Sequence, residues 1–301
     1  MKLKKQSENR RYIISASRRT DIPAFFSEWF INRLKAGYCH VKNPFNPNQV
    51  SQVSLLPEDV AAFVFWTRNP APFGQALSLL DAMNYKYGFL ITVTGYPEEL
   101  EPHTPEIDEI NKTIADLADK IGKDKIVWRY DPILFSDKID FAWHQRNFAD
   151  LTKRLAPITG GCIISLLDFY RKTIKNLKAV EEHHFIENPC ELEGLLSFLT
   201  ELHRIATENS LKIQTCCEDN SIFEKAGILP GGCIDASWIE KIAGKEITLT
   251  RHKGQRKNCR CVFSKDIGAY NSCRYGCRYC YATDDIAKAL QRSHDSENEF
   301  L

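Results

Sequence analysis

The chain has 301 residues, 43% hydrophobic and 26% charged, which suits one large α/β domain or two small ones with no shortage of core. Its net charge of +1 gives no global field to recruit nucleic acid, and no apolar run approaches the roughly 18 residues that a membrane span needs. The first residues are polar and basic, so no export signal is read and a cytoplasmic location is expected.

In chain order, YIISAS at 12–17 is a short apolar run entering the polar cluster SRRTD, and it reads as a strand followed by a loop. Pro23 opens a helix whose apolar positions Phe26, Phe30 and Leu34, with Trp29 beside them, recur at helical spacing. Gly37 stands where a terminating glycine belongs. Residues 38–57 are rich in Pro and Asn and read as a long irregular loop. AFVFW at 62–66 predicts a second strand, 72–83 its helix, and GFLITV at 88–93 a third strand. Thr104 and Pro105 form a good helix-opening pair, followed by the stripe Ile107, Ile110, Ile114, Leu117 and Ile121, which Gly122 stops. KIVW at 125–128 is a fourth strand, 140–155 a helix, and GCIIS at 161–165 a fifth strand. Residues 169–185 read as a helix whose Arg171, Lys172, Lys175 and Lys178 make a solvated basic face, and 192–208 as another helix. LKIQT at 211–215 is a sixth strand, and 296–301 a frayed tail.

Strands that alternate with helices imply a parallel sheet covered by helices. Six or seven such units predict an α/β fold, a TIM-like or partial (βα)6-7 parallel barrel. Three regions are expected: a barrel body over 1–215, a cysteine-containing segment over 216–263, and a cysteine loop with a closing helix over 264–301 that completes the same barrel. In such folds chemistry sits on the loops after the strands. Here those loops carry Ser17, Arg18, Arg19, Thr20 and Asp21, then Thr67, Arg68 and Asn69, then Thr92 and Thr94, then Arg129, Tyr130 and Asp131, then Asp168, Gln214 and Glu218. Arginine suits carboxylate or phosphate recognition, because its guanidinium makes bidentate contacts. A ring of structural ion pairs is the plain alternative. The candidate catalytic residues are Arg18, Arg19, Asp21, Thr67, Arg68, Thr94, Arg129 and Asp131.

The chain has eleven cysteines; without an export signal, and clustered toward the C-terminus, they favour metal over disulfides. Cys273, Cys277 and Cys280 follow a C-x3-C-x2-C spacing among Tyr270, Tyr275, Tyr279 and Tyr281, with Gly276 able to turn the loop. Three thiolates would leave one iron of a [4Fe–4S] cluster open to a small molecule. A zinc knuckle with a borrowed ligand and three reduced core thiols are the alternatives. A second set, Cys217, Cys233, Cys259 and Cys261, with Cys216 able to replace Cys217, supplies the four thiolates of an ordinary iron–sulfur cluster or a structural zinc, iron–sulfur being placed first. Cys39, Cys162 and Cys190 read as structural.

The C-x3-C-x2-C string with an aromatic before its third cysteine resembles the signature of radical S-adenosylmethionine (SAM) enzymes, and the fuller string to Ala282 is similar to the branch containing spore photoproduct lyase. ISASRRTDIPAF at 14–25, NPFNP at 43–47, FWTRNPAP at 65–72, WRYDPI at 128–133 and SKDIGAYNSC at 264–273 resemble the bacterial domain-of-unknown-function family 1848. The radical SAM resemblance implies a [4Fe–4S] cluster on Cys273, Cys277 and Cys280 that binds SAM and cleaves it with one electron. The resulting 5′-deoxyadenosyl radical would abstract hydrogen from an unknown small-molecule or nucleotide-like substrate. An electron donor such as flavodoxin or ferredoxin is implied, with no membrane and no strong nucleic-acid signal. The competing readings are a non-catalytic zinc or iron–sulfur module and a nucleic-acid repair protein.

Radical SAM enzymes carry this motif near the N-terminus, whereas here the strand–loop elements FWTRNP and ITVTGYPEELEPHTP precede it. The expectation is a circular permutation, which nearby termini tolerate. Residues 266–270 should then lie beside the strand at 12–16, with the cysteines at the same mouth as Arg18, Thr67, Thr94 and Arg129. Thr283 should cap a helix reaching about Gln291, with Asp284 and Asp285 in its first turn, packed beside the helix at 24–36.

Overall fold

The computed structural model describes residues 11–218, 221–247, 250, 256, 258–291 and 295–301. The polar N-terminus read above as lacking an export signal lies, except for Arg11, outside the described residues, as do parts of the 216–263 segment. No helix among the described residues is long and apolar enough to cross a membrane.

Eight strands form one sheet: β1 (Tyr12–Ala16), β4 (Val60–Thr67), β5 (Tyr87–Thr92), β6 (Ile126–Ile133), β7 (Cys162–Leu166), β8 (Ile213–Cys216), β9 (Leu229–Gly231) and β10 (Ser264–Asp266). Their order is β10-β1-β4-β5-β6-β7-β8-β9, and every neighbouring pair is parallel. The mixed α/β class and the parallel sheet agree with the sequence. Closure into a TIM-like barrel does not: β10 and β9 are the ends of the sheet, and no pairing joins them among the described residues. The sheet also has eight strands rather than six or seven, because β9 and β10 add to the expected six.

The sheet is buried on both faces, as a parallel sheet requires, and β4 displays this directly. Its Phe63 and Phe65 face the main core, while Ala62, Val64 and Trp66 face a second cluster. The main core lies under α2 (Ser27–Ala36), α3 (Gly74–Ala82), α4 (Ile107–Ile121), α5 (Phe141–Leu155) and α7 (Leu195–Glu208). The short α1 (Ile22–Phe25) and α6 (Arg171–Leu177) stand at the strand ends. The predicted α4 stripe is buried at Ile110, Ile114, Leu117 and Ile121. On the other face lie α9 (Ala236–Ala243) and the cysteine-rich segment, packed against Ile13, Val64, Leu90 and Ile163. Trp238 of α9 donates its indole N–H to the Asp124 carbonyl at 3.0 Å. This layer occupies the face that a closed barrel would turn inward.

Several local expectations are corrected. Residues 38–57 are not an irregular loop: β2 (Tyr38–Asn43) and β3 (Asn46–Ser54) pair as an antiparallel hairpin, in which alternation of Cys39 and Val53 toward the core overrides the Pro and Asn content. Helix α4 starts at Ile107 with Glu106 at its cap position, and the Thr104 hydroxyl donates back to the Glu101 carbonyl at 3.2 Å instead. Helix α6 covers only seven of the residues assigned to it. The tail 296–301 is docked rather than frayed: Trp29 donates to the Asn298 carbonyl and the His40 amide to the Glu299 carbonyl, both at 2.9 Å, and Leu301 is buried. Helix α10 (Ile286–Gln291) is opened by Asp285, whose carboxylate accepts from the Lys288 amide at 3.0 Å, not by Thr283. The segment hydrogen-bonded along α2 is the tail, through Asn32 and Arg33. Helix α8 (Ser221–Lys225) precedes β9.

Candidate functional site

The expected pairing of the chain's two ends is present, but earlier than 266–270: the strand is Ser264–Asp266, and beyond it, among the described residues, only the Ile267 amide reaches β1, at the Ser15 carbonyl, 3.1 Å. Strand β10 runs parallel to β1, with Ile13, Ile14 and Ser15 opposite Ser264, Lys265 and Asp266. Parallel neighbours deliver their following loops to the same end of a sheet, so the cysteine loop emerges beside the loops that follow β1, β4, β5 and β6. The Asn271 amide bonds to the Ala282 carbonyl at 3.0 Å and the Asp284 amide to the Asn271 side chain at 2.6 Å, closing the neck of that loop. Gly276 takes φ +71°, the left-handed turn its position demanded.

Side chains from four elements grip the loop. The Tyr279 hydroxyl bonds to Arg68 and to Glu101, and Arg68 pairs with Glu101 at 2.8 Å. Thr94 donates to the same Glu101 carboxylate at 2.5 Å. The Arg278 amide bonds to the Leu100 carbonyl at 2.9 Å, and Tyr275 packs on Phe25 at 4.6 Å between ring centres. Helix α6 closes the other side: Thr173 reaches the Tyr279 carbonyl, Asn176 the Thr283 carbonyl at 2.9 Å, and Lys172 the Asp284 carboxylate at 3.0 Å. The basic face of α6 is therefore partly a clamp, with Lys172 also over the Tyr270 ring.

The three thiols sit inside this frame. Cys277 is buried, and burial pushes its thiol up to about 12 while the neighbouring Arg68 guanidinium pulls it down. Burial also raises Cys273 well above the ordinary thiol range, reinforced by Cys280, Asp21 and Cys277. The Cys280 sulfur accepts from the Ala282 amide at 3.4 Å. Burial works against the charge of Arg68, but Cys277 and Glu101 outweigh it and keep the guanidinium protonated. Asp21 is raised to about 7 by burial, against the pull of the Arg68 and Ala24 amides that its oxygens accept at 2.7 and 2.9 Å.

The other candidates divide. Arg18 and Arg129 place their guanidinium carbons 5.1 and 4.8 Å from the centre of the Trp66 ring. Arg129 pairs with Asp131 and reaches Thr92 at 3.2 Å, and Asp131 accepts from Ser165 at 2.5 Å. Arg19 turns to the β10 edge, paired with Asp266 at 3.0 Å and over Tyr270. Thr67 accepts the Asn69 amide at 2.9 Å, a turn role. Tyr130 bonds to His144 and Asn147 in the core, and Asp168 pairs with Arg256 near the surface. Glu218, raised to about 7 by burial, accepts the Leu166 amide at 2.8 Å. Thr20 is buried.

Sequence reasoning passed over Asp266, Glu101 and Trp66. Asp266 accepts from Ser15, Ser17 and the Arg18 amide at 2.8 to 2.9 Å, and burial, which would raise its carboxyl, is outweighed by Arg19 and Arg18, so it is held low. Both carboxylates stand inside motifs already singled out, SKDIGAYNSC and YPEELEP, so a buried-partner argument for those arginines would have found them.

The second set also assembles. Cys233 lies 3.0 Å from Cys216, sulfur to sulfur, and the Cys261 sulfur accepts from Cys216, Cys233 and Cys259. The amide of Ile234 donates to the Cys261 sulfur at 3.4 Å. Cys216 thus takes the place first given to Cys217, which contacts Cys259 from φ +65°. Gln214 reaches the Gly232 carbonyl beside this set at 3.3 Å. Cys39 and Cys162 are buried, and Cys190 is exposed. Among the described residues, no three or more Cys, His, Asp or Glu side chains are drawn together around a point at metal-bonding distance.

A cleft of about 460 Å3 lies between the segment after β10, the hairpin and the tail, and of the candidate catalytic residues only Arg19 lines it.

No curated protein matches the chain. The family described as a domain of unknown function, DUF1848, matches residues 13–282, and the chain belongs to that family.

Proposed function

We propose that this DUF1848 member is a radical SAM-type enzyme whose iron–sulfur group is held by Cys273, Cys277 and Cys280. The carrying observation is the position of the buried Cys277, beside the mutually bonded Arg68, Glu101 and Tyr279 at the mouth formed by the loops after β1, β4 and β5. The donor set fits such a group: three soft thiols on one short loop, a fixed cation beside one of them, and backbone N–H donation to the Cys280 sulfur. A [4Fe–4S] group with one open iron supplies, when bound, the single electron that breaks the sulfonium bond of SAM and so allows hydrogen removal from a substrate.

The chain's own residues account for the surroundings. Arg68 stabilises the Cys277 thiolate against burial. Asp21, titrating near neutrality, imposes less than a full negative charge on Cys273 at pH 7. The packing of Tyr96, Leu100, Leu134, Leu167, Tyr275 and Tyr279 around the loop keeps water from it. The parallel β10–β1 pairing supports a permuted order, in which the strand that leads into the cysteines lies beside the first strand of the chain.

Anaerobic reconstitution with iron and sulfide, then reduction with SAM present, tests the reading. Formation of 5′-deoxyadenosine by wild type, and its loss in Cys277→Ala, is expected. A Cys277→Ala protein that still forms it overturns the assignment; a wild type that binds iron yet never cleaves SAM leaves the non-catalytic module.

A further inference from the structure

Cys216 ends β8, Cys233 follows β9, and Cys259 and Cys261 precede β10, so three separate stretches of chain bring their thiols together on the inner face of the sheet. All four are buried, at 7%, 4%, 6% and 3% exposure. Two of these stretches meet closely. The Val262 amide bonds to the Ile234 carbonyl at 3.0 Å, and the Ile234 amide bonds to the Cys261 sulfur. A Cβ at Gly232 would stand 3.0 Å from the backbone of Arg260 and Cys261, closer than ordinary contact, so glycine eases this approach.

We propose that Cys216, Cys233, Cys259 and Cys261 form a single-ion tetrathiolate site that takes Zn2+. Size favours one ion over a cluster. With zinc–sulfur bonds of about 2.3 Å, a tetrahedral site places its sulfurs about 3.8 Å apart. The 3.0 Å between Cys216 and Cys233 needs less than about 1 Å of spreading to reach that. A four-iron cube would have to drive the same sulfurs much further apart, through a packed layer. Charge favours it as well. Four thiolates on Zn2+ carry a net charge of −2. Arg18 and Arg129 stand over Trp66, which packs against these cysteines. Each leaves a buried N–H without a protein acceptor, Arg18 at Nη2 and Arg129 at Nε. Arg18, and Arg129 beyond its pairing with Asp131, bring positive charge to the site, and thiolate sulfur is an acceptor for their unpartnered N–H groups. A cavity of about 90 Å3 lined by Gly232, Cys233 and Gln214 gives an entry path.

Among the described residues, the ion would pin a segment with little regular structure of its own: five residues of α8, three of β9 and eight of α9. It stands whether or not the C-x3-C-x2-C loop holds iron and sulfide, because the two sets share no ligand.

The test uses full-length protein purified without added metal, as wild type and as the Cys273→Ala/Cys277→Ala/Cys280→Ala triple variant. Elemental analysis should find about one zinc per chain in both. Zinc should be lost from Cys233→Ser/Cys261→Ser. Should that double variant fail to fold, Co2+ exchange into the triple variant gives an independent answer, since the intensity of sulfur-to-cobalt charge transfer counts the thiolates and should report four. Iron in place of zinc in the triple variant overturns the proposal in favour of a second iron–sulfur cluster. A Cys216–Cys233 disulfide trapped on denaturation overturns it in favour of a redox pair. Absence of any metal from the triple variant also overturns it, without touching the SAM-cleavage test, which reads the other three cysteines.

Discussion

The hydroxyl of Tyr281 donates to the carbonyl of Arg18 at 2.5 Å, although 263 positions separate them in the chain. One side of this bond is the cysteine loop and the other is the loop after β1, whose Arg18 guanidinium stacks on Trp66. The bond therefore joins the two cysteine sets through one residue on each side. A net hydrogen bond of this kind contributes about 1 kcal/mol. Tyr281→Phe should lower the urea midpoint by a corresponding amount with an unchanged denaturant slope. An unchanged midpoint would mean that the loop is held by its other contacts alone.

Arg68 and Glu101 form a buried ion pair that also satisfies Tyr279 and Thr94. Removing one partner strands a buried charge, which costs about 3–5 kcal/mol. Glu101→Leu should therefore be strongly destabilised, and Arg68→Met combined with it should recover a large part of the loss. The double-mutant cycle in urea measures this. Additive losses would show that the pair is not coupled and that its role at the loop is steric.

His144 is buried, donates from Nε2 to the Leu134 carbonyl at 2.8 Å and accepts the Tyr130 hydroxyl proton at Nδ1. Burial lowers it from 6.5 to about 4. In that window the unfolded chain binds a proton that the folded chain refuses, so stability is full above about 6.5 and falls as pH drops toward 4. The loss reaches about 3 kcal/mol at most. Stability measured at pH 7 and pH 4.5 should differ less in His144→Gln, which can donate and accept at the same two places. An equal difference in the variant would place the acid sensitivity elsewhere.

Thiol reactivity should separate the cysteines before any metal is bound. Burial holds Cys39 and Cys277 at about 12, so at pH 8 little thiolate is present at either. Cys190 is exposed and should take iodoacetamide first, with Cys39 and Cys277 unmodified in mass spectra until the protein is unfolded. Early labelling of Cys277 would show that the loop opens on the timescale of the reagent.

Much was legible in the sequence because local periodicity reports burial directly. The stripe Ile110, Ile114, Leu117 and Ile121 and the apolar run of β4 each announce the faces they bury. Chemistry at the strand ends was legible too, since Arg18, Arg68 and Arg129 all follow or end apolar runs. The hairpin was not, because its Pro and Asn content masked a weak alternation that only docking against α2 and the tail makes favourable. Nor was the tail itself: its anchors Trp29, Arg33 and His40 lie more than 250 residues earlier.

The sequence by itself determined which residues could do chemistry: two groups of thiols, a set of arginines, and parallel strands that carry them to one end. The tertiary structure alone decided who stands beside whom. Spacing along the chain cannot say that Cys216 rather than Cys217 meets Cys233, because the backbone leaves β8 after Cys216 and turns to φ +65° at Cys217, which then meets Cys259 instead. Composition also could not say that the inner face of the sheet would be filled by α9 and the cysteine segment instead of closing on itself. That outcome depends on the burial of Ile239, Ile242 and Trp238 against β4 and β5, more than a hundred residues away, a contact made by hydrophobic burial and written in no local pattern.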